Sequence, residues 1–168
     1  MTILEVRLAQ KEEIDTLMEM FDYSRNLMRQ AGNMVQWTNG YPKKDLILES
    51  IGRHEQYAFV REGVLVGTFC FILGEDPFYK YIENGEWLND LPYGVIHRIA
   101  SNGKAKGIAE ACFRWCFGCH PNIRVDTHET NGAMRHVLAK LGYTECGTVY
   151  VADGTPRLAF QKTSGRSG

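Results

Sequence analysis

The sequence predicts a single domain of mixed α/β (α+β) class. Three observations carry that expectation. Segments with strand alternation and segments with helical spacing interleave along the chain, hairpin signals stand at two places, and 168 residues suit one core without a linker. Net charge is −1 with 23% charged and 44% hydrophobic residues, an ordinary balance for a folded chain that offers no field to attract nucleic acid or an anionic membrane. No apolar run approaches the ~20 residues of a membrane span. The opening "MTILEVRLAQKEE" turns charged too early for a secretory signal. A cytoplasmic protein with five reduced cysteines, not a disulfide framework, is the expectation.

Element by element, "ILEVRLA" (3–9) alternates as a strand. In "KEEIDTLMEMFDYSRNLMRQAG" (11–32), Ile14, Leu17, Met18, Phe21, Leu27 and Met28 recur near helical spacing, and Gly32 is a stop signal. A second helix is expected from Pro42 to Ile51, because proline suits a helix start. "QYAFVREGVLVGTFCFILGE" (56–75) reads as a hairpin turning at Glu62-Gly63. A short helix or turn with an aromatic face follows in "FYKYIENGEWLND", then a strand over 93–101. The remaining expectations are a helix over 104–120, a strand over 122–128, a helix over 131–142 ended by Gly142, and a hairpin over 143–162 turning at "ADGTP". The domain is expected to span residues 1–162, with 163–168 a flexible tail.

"CFRWCFGCH" (112–120) offers two metal readings: C-x₃-C-x₂-C for an iron–sulfur cluster, and C-x-x-C-H for covalent haem. On a helix at about 100° per residue, Ile108, Cys112, Trp115, Cys116 and Cys119 fall within an arc of roughly 100°, the stripe a helix buries. The thiols are then explained as small core hydrophobes, and no metal is expected. A metal or redox protein built on this cluster stays a competing reading.

The chemistry lies just upstream, in "HRIASNGKAKGIAE". A strand ends near Ser101 and a loop with Gly103 and Gly107 leads into a helix. A helix N-terminus offers unpaired N–H groups and a positive dipole end, glycine permits close approach, and Lys104 and Lys106 add charge. That is an anion site suited to phosphate. It is neither a P-loop nor a dinucleotide fingerprint, since G-x-x-x-x-G-K-S/T and G-x-G-x-x-G are both absent.

These residues resemble the GNAT family of N-acetyltransferases. The family's phosphate loop is Gln/Arg-x-x-Gly-x-Gly/Ala. "KAKGIA" (104–109) matches it at Gly107 and Ala109, with Lys104 in place of Gln or Arg. The family's next signature, a strand, an asparagine and a helix ending in Gly-aromatic, is similar to "IRVDTHETNGAMRHVLAKLGY" with Asn131, Gly142 and Tyr143. The order of elements agrees from residue 3 to 162.

The resemblance implies a mostly antiparallel twisted sheet with helices on both faces. It also implies acetyl transfer from acetyl-CoA, as cosubstrate, to a primary amine of a small molecule, amino acid or peptide. Backbone groups of Ile99, Ala100 and Ser101 would pair with the pantetheine arm. N–H groups from Lys106 through Gly107 and Ile108 to Ala109 would cradle the pyrophosphate, and Asn131 would hold the cofactor's other side. Asn131 also reads as a plain N-cap. Where many relatives carry a tyrosine as general acid, this chain has Leu138.

Three candidates for general base are Asp126, where some relatives carry a carboxylate, His97 and Glu75. His97 sits mid-strand, where a satisfied core histidine is the commoner explanation. Trp37, Tyr41 and Tyr81, with Trp87, look like the wall of an acceptor pocket, or ordinary core. The missing tyrosine leaves room for a non-catalytic acyl-CoA-binding sensor of the same fold. No nucleic-acid or membrane partner is expected, and the sequence leaves both the acceptor and the oligomeric state, a homodimer included, open.

Overall fold

The computed structural model describes residues 3–164. In chain order the elements are β1 (Glu5–Leu8), a 3₁₀ turn (Lys11–Glu13), α1 (Ile14–Gln30), α2 (Lys44–Gly52), β2 (Gln56–Arg61), β3 (Val64–Leu73), a second 3₁₀ turn (Pro77–Tyr79), β4 (Gly94–Ser101), α3 (Ile108–Cys119), β5 (Asn122–Thr127), α4 (Gly132–Lys140), β6 (Thr144–Tyr150) and β7 (Pro156–Thr163). The hydrogen-bonded strand order is β1-β2-β3-β4-β5-β7-β6. β1/β2, β2/β3, β5/β7 and β6/β7 pair antiparallel, and β4/β5 pairs parallel. The mixed, mostly antiparallel sheet expected from the sequence is therefore present. The chain divides into two compact units: residues up to Phe71 with His97–Cys112, and Ile72–Ile96 with the residues from Phe113 on.

In the first unit, α1 buries Leu17, Met20 and Phe21 against Ala9, Ile47 of α2, Ala58 of β2 and Ala100 of β4. The helical spacing predicts Leu27 on this stripe and leaves Met20 off it. Leu27 is 45% exposed and Met20 is 1% exposed. At ~100° per residue Leu27 lies about 80° from Leu17 in the last turn, where little packs on it. Ser24 takes the on-stripe place and bonds the end of β4 instead, with Oγ accepting from Ser101 N at 3.0 Å. The β2–β3 turn falls at Glu62-Gly63, with φ of 51° and 78°. Two left-handed residues are what a tight right-twisting hairpin requires.

In the second unit, β7 pairs with both β5 and β6. The core holds Tyr79, Tyr93, Val95, Val149 and Ala159, with Ile82 and Trp87 packed against it. Polar side chains fasten the 75–93 segment to the strands. Gln161, fully buried, donates to Asn122 Oδ1 at 2.7 Å and accepts from Leu88 N at 2.8 Å. The buried Arg124 guanidinium lies 4.3 Å from the Trp87 ring centroid and 4.1 Å from that of Tyr93, and donates to Asn89 O at 2.7 Å.

Several boundaries differ from the sequence expectation. α3 begins at Ile108, not 104, because Gly107 has φ 73° and residues 104–107 form a loop. β7 runs to Thr163, whose partner is Asn122, so residue 163 is strand and not tail. Residues 165–168 of the expected tail lie outside the described residues. Cys112 and Cys116 are buried as expected, but Cys119 is exposed. It is the last residue of α3, with no further turn to cover it. Among the described residues, no group of three or more His, Cys, Asp or Glu side chains is arranged to hold a metal ion, and no helix is long and apolar enough to cross a membrane.

Candidate functional site

The loop between β4 and α3 belongs to the first unit. β4 is not a regular strand: Arg98 has φ 54°, a left-handed residue between extended neighbours. Beyond it, Ile99 and Ser101 are half-buried and Ala100 is buried. The Ser101 N–H is engaged by Ser24 Oγ, so of the backbone groups expected to pair with pantetheine this one already has a partner. Asn102 then pins the loop to β3, donating from Nδ2 to Leu65 O at 2.9 Å and accepting from Lys104 N at 3.0 Å. Arg61 Nη2 donates to Lys104 O at 2.6 Å. The side chains of Lys104 and Lys106 are exposed.

α3 starts with its Ala111 N–H bonded to Gly107 O at 2.9 Å. The N–H groups of its first turn therefore point out of the helix end, as at any helix start. Ile108 anchors that end: it is 5% exposed and fills the space above Gly67, where an added Cβ would lie 2.8 Å from Ile108 Cγ2. Gly107 contrasts with it. A Cβ there would meet nothing within 4 Å. A left-handed glycine, open space above it, a helix N-terminus and two exposed lysines fit a pyrophosphate.

The α1–α2 connection in the same unit is held by two arginines of α1. Arg29 donates to the carbonyls of Asn33, Gln36 and Trp37 at 3.0, 2.8 and 2.9 Å. Arg25 donates to Tyr41 O at 3.2 and 2.8 Å. Trp37, expected as a pocket wall, packs inward on the core with its ring edge-on to Phe21 at 5.7 Å. Tyr41 is 38% exposed, and its hydroxyl lies 3.4 Å from Arg98 Nη1. His97 is half-buried in β4.

In the second unit, Asp126 stands on β5, half-buried, and its Oδ2 accepts the Tyr79 hydroxyl at 2.6 Å. Tyr79 was not singled out from the sequence, and no local pattern marks it, since its partner lies 47 residues away. Burial, then the Asp126 charge, pushes the Tyr79 phenol well above its usual range, so it stays a donor. Glu75 is exposed just past β3. Tyr81 is 63% exposed and donates to Glu83 Oε2 at 2.7 Å, and Tyr150 donates to Glu83 Oε1. These two phenols hold the Glu83 carboxyl below its usual range.

Asn131 caps α4, its Oδ1 accepting from Met134 N at 3.1 Å. Leu138 is fully buried, so an aromatic at that position would have to enter the core. A surface cavity of about 480 Å³ lies along α4, lined by Gly132, Arg135, His136, Tyr143 and Phe160 among others.

A scan against models of protein families finds no match, and a search of curated proteins finds none. Among solved structures, an acetyltransferase of the GNAT family from Streptococcus agalactiae 2603 is 34% identical, covering 97% of this chain and 96% of its own, with TM-score 0.88. The chain thus belongs to the GNAT family of acetyltransferases. The same fold recurs at lower identity. The N-acetyltransferase PaiA from Thermoplasma acidophilum, solved in complex with coenzyme A, is 16% identical over 96% of this chain and 99% of its own, with TM-score 0.64. yncA from Salmonella typhimurium, solved with its cofactor acetyl-CoA, is 12% identical over 98% of this chain and 96% of its own, with TM-score 0.62.

Proposed function

We propose that the protein transfers an acetyl group from acetyl-CoA to a primary amine of a small molecule, amino acid or peptide. The observation that carries this reading is the open cradle at Gly107 at the N-terminus of α3, in a chain 34% identical over nearly its full length to a GNAT acetyltransferase. Acetyl-CoA would supply the acetyl carbonyl that the amine attacks and the thiol that leaves.

N–H groups from Lys106 to Ala109 bind the pyrophosphate, with Lys104 and Lys106 offsetting its charge. Backbone of Ile99 and Ala100 pairs with the pantetheine arm. Asn131 contributes from the start of α4, where it is also the cap. Asp126 takes the proton from the acceptor nitrogen, because an attacking amine must lose it, and the Tyr79 hydroxyl favours the carboxylate as the form that waits for it. His97 and Glu75 are the alternatives for this role, Glu75 the weaker because it is solvated. The departing sulfur needs little help, since a thiol pKa near 8.5 makes the thiolate a tolerable leaving group.

The test is calorimetric titration with acetyl-CoA together with thiol release over a panel of amines. Binding and acceptor-dependent thiol release are expected. Tight binding with no turnover on any amine would favour a non-catalytic acyl-CoA sensor, a reading that the burial of Leu138 keeps in view.

A further inference from the structure

Arginines in the first unit are satisfied with one exception. Arg7 pairs with Glu13 at 2.7 Å, Arg25 with Asp22 at 2.7 Å and Arg53 with Glu49 at 2.6 Å. Arg29 holds three carbonyls at 3.0 Å or less, and Arg61 holds the Lys104 carbonyl at 2.6 Å. Arg98 has no such partner among the described residues. Its Nε is buried and unbonded, and its contacts are weak ones: the Tyr41 hydroxyl, 3.4 Å from Nη1, and the Cys70 thiol. A guanidinium cannot shed its charge, so a half-buried one without a short partner is an incomplete site.

Two further features show that this arrangement is built. Arg98 holds φ 54° in the middle of β4, a left-handed conformation that costs a residue with a Cβ about 1 kcal/mol. Tyr41 is brought to it by a loop that Arg25 and Arg29 fasten through five backbone-carbonyl bonds. Burial keeps the Cys70 thiol neutral although Arg98 pulls the other way, so it supplies no counter-charge.

We propose that Arg98, assisted by the Tyr41 hydroxyl, receives a carboxylate on the acceptor, so that the amine acetylated is that of an amino acid or another carboxylate-bearing amine. The inference rests on the acetyltransferase reading and narrows it. The planar fork of Arg98 matches a carboxylate through two parallel N–H···O bonds. One fork and one neutral hydroxyl suit a monoanion. A phosphomonoester, which the same fork would attract, is set against it in the test.

The experiment measures thiol release with matched acceptors: a set of L-amino acids, the corresponding amino-acid amides, and phosphoethanolamine. Wild type, Arg98→Gln, Arg98→Lys and Tyr41→Phe are compared, with acetyl-CoA binding followed by calorimetry in parallel. For wild type, kcat/KM is expected to favour the best acid over its amide by about 10²-fold, since a half-buried charge left unpaired by the amide opposes its binding. That ratio should fall to near one in Arg98→Gln, through KM, and be partly kept in Arg98→Lys. Tyr41→Phe leaves the loop backbone intact and should reduce the ratio about threefold, which keeps the test decisive if Arg98→Gln folds poorly. A wild type that acetylates amides as well as acids, a ratio that survives Arg98→Gln, or a preference for phosphoethanolamine overturns the inference. If wild type binds acetyl-CoA and shows one of those outcomes, this inference alone falls. If wild type does not bind acetyl-CoA, the acetyltransferase reading falls first.

Discussion

Tyr79 gives its hydroxyl hydrogen to Asp126 Oδ2 across 2.6 Å, and only 1% of Tyr79 is exposed. The phenol cannot drift. Trp87 Nε1 donates to the Tyr79 carbonyl at 2.8 Å, and the Tyr79 ring lies 5.3 Å from Trp87 and 6.4 Å from Tyr93. The charged and titratable neighbours are Asp76 on the 3₁₀ turn's cap, Tyr93, and Arg124 two residues before Asp126 on β5. A neutral donor at this distance stabilises the carboxylate over the carboxylic acid.

Asp126→Asn should therefore lower kcat/KM by about 10²-fold if Asp126 is the general base, with acetyl-CoA affinity unchanged. Tyr79→Phe makes the sharper test. The variant removes the donor that orients the carboxylate, so kcat/KM should fall while acetyl-CoA affinity holds. Wild-type kcat/KM in a folded Tyr79→Phe protein would count against Asp126 as the base, and His97→Gln and Glu75→Gln would then be ranked in the same assay.

Gly67 in β3 is required by Ile108. A Cβ at residue 67 would come within 2.8 Å of Ile108 Cγ2 and 3.3 Å of the Ala100 carbonyl. Gly67→Ala should cost about 1–3 kcal/mol through overpacking. For a chain of this size that lowers Tm by a few degrees per kcal/mol. Because Ile108 opens α3, acetyl-CoA affinity should fall as well, and the double variant Gly67→Ala/Ile108→Leu, which takes the Cγ2 methyl off Cβ, should recover part of both. Full stability and full affinity in Gly67→Ala would contradict this packing account.

How far the sequence reached depended on the range of the interaction. Glu62-Gly63 was legible because two residues at positive φ leave a local composition signal. Asn131 was legible as a cap for the same local reason. Gly107 was legible as a loop glycine, although the helix was begun too early, since "KAK" has good helix propensity and only the left-handed φ of Gly107 excludes it. Tyr79 and Arg98 were not legible. The role of Tyr79 depends on a strand 47 residues away, and that of Arg98 on a backbone irregularity that an arginine between His97 and Ile99 does not announce. The thiol cluster misled only at its end. Periodicity assigned Cys119 to the buried stripe, but periodicity says nothing about whether the last turn is covered.

Arg7 and Glu13 fix the entry to α1, the helix whose arginines hold the Tyr41 loop. They meet through two bonds, at 2.9 and 2.7 Å, and Glu13 Oε1 also accepts Gln10 N–H at 2.8 Å. The Arg7 bond, ahead of the smaller opposing effect of burial, holds the Glu13 carboxyl below its usual range. A depressed carboxylate pKa gives stability that is present above the unfolded value, near 4.3, and is lost as pH falls through the folded value. Glu13→Gln should thus cost about 1 kcal/mol or less near neutral pH, given the solvent around Arg7. Denaturant titrations of wild type and variant should converge as pH drops below about 4. An undiminished gap at low pH would mean the loss is steric and not electrostatic.

Gly107→Asp probes the cradle itself, and its companion is Gly107→Ala. Residue 107 has φ 73° and no heavy atom within 4 Å of where a Cβ would stand, so the protein has room for either side chain. The left-handed φ costs alanine about 1 kcal/mol and aspartate somewhat less, because Asp and Asn tolerate that region better. On stability alone, then, Asp should be the milder change. On acetyl-CoA binding the order reverses. A carboxylate at the N-terminus of α3 both occupies the space a pyrophosphate needs and repels its charge, while satisfying the same N–H groups the phosphates would use. Gly107→Asp should weaken binding by about 10²-fold or more, and Gly107→Ala by less, with the difference shrinking at high salt as charge is screened. Calorimetry on the two variants beside their melting curves separates the effects. Equal affinity for acetyl-CoA in wild type and Gly107→Asp would place the pyrophosphate elsewhere, and with it the cofactor.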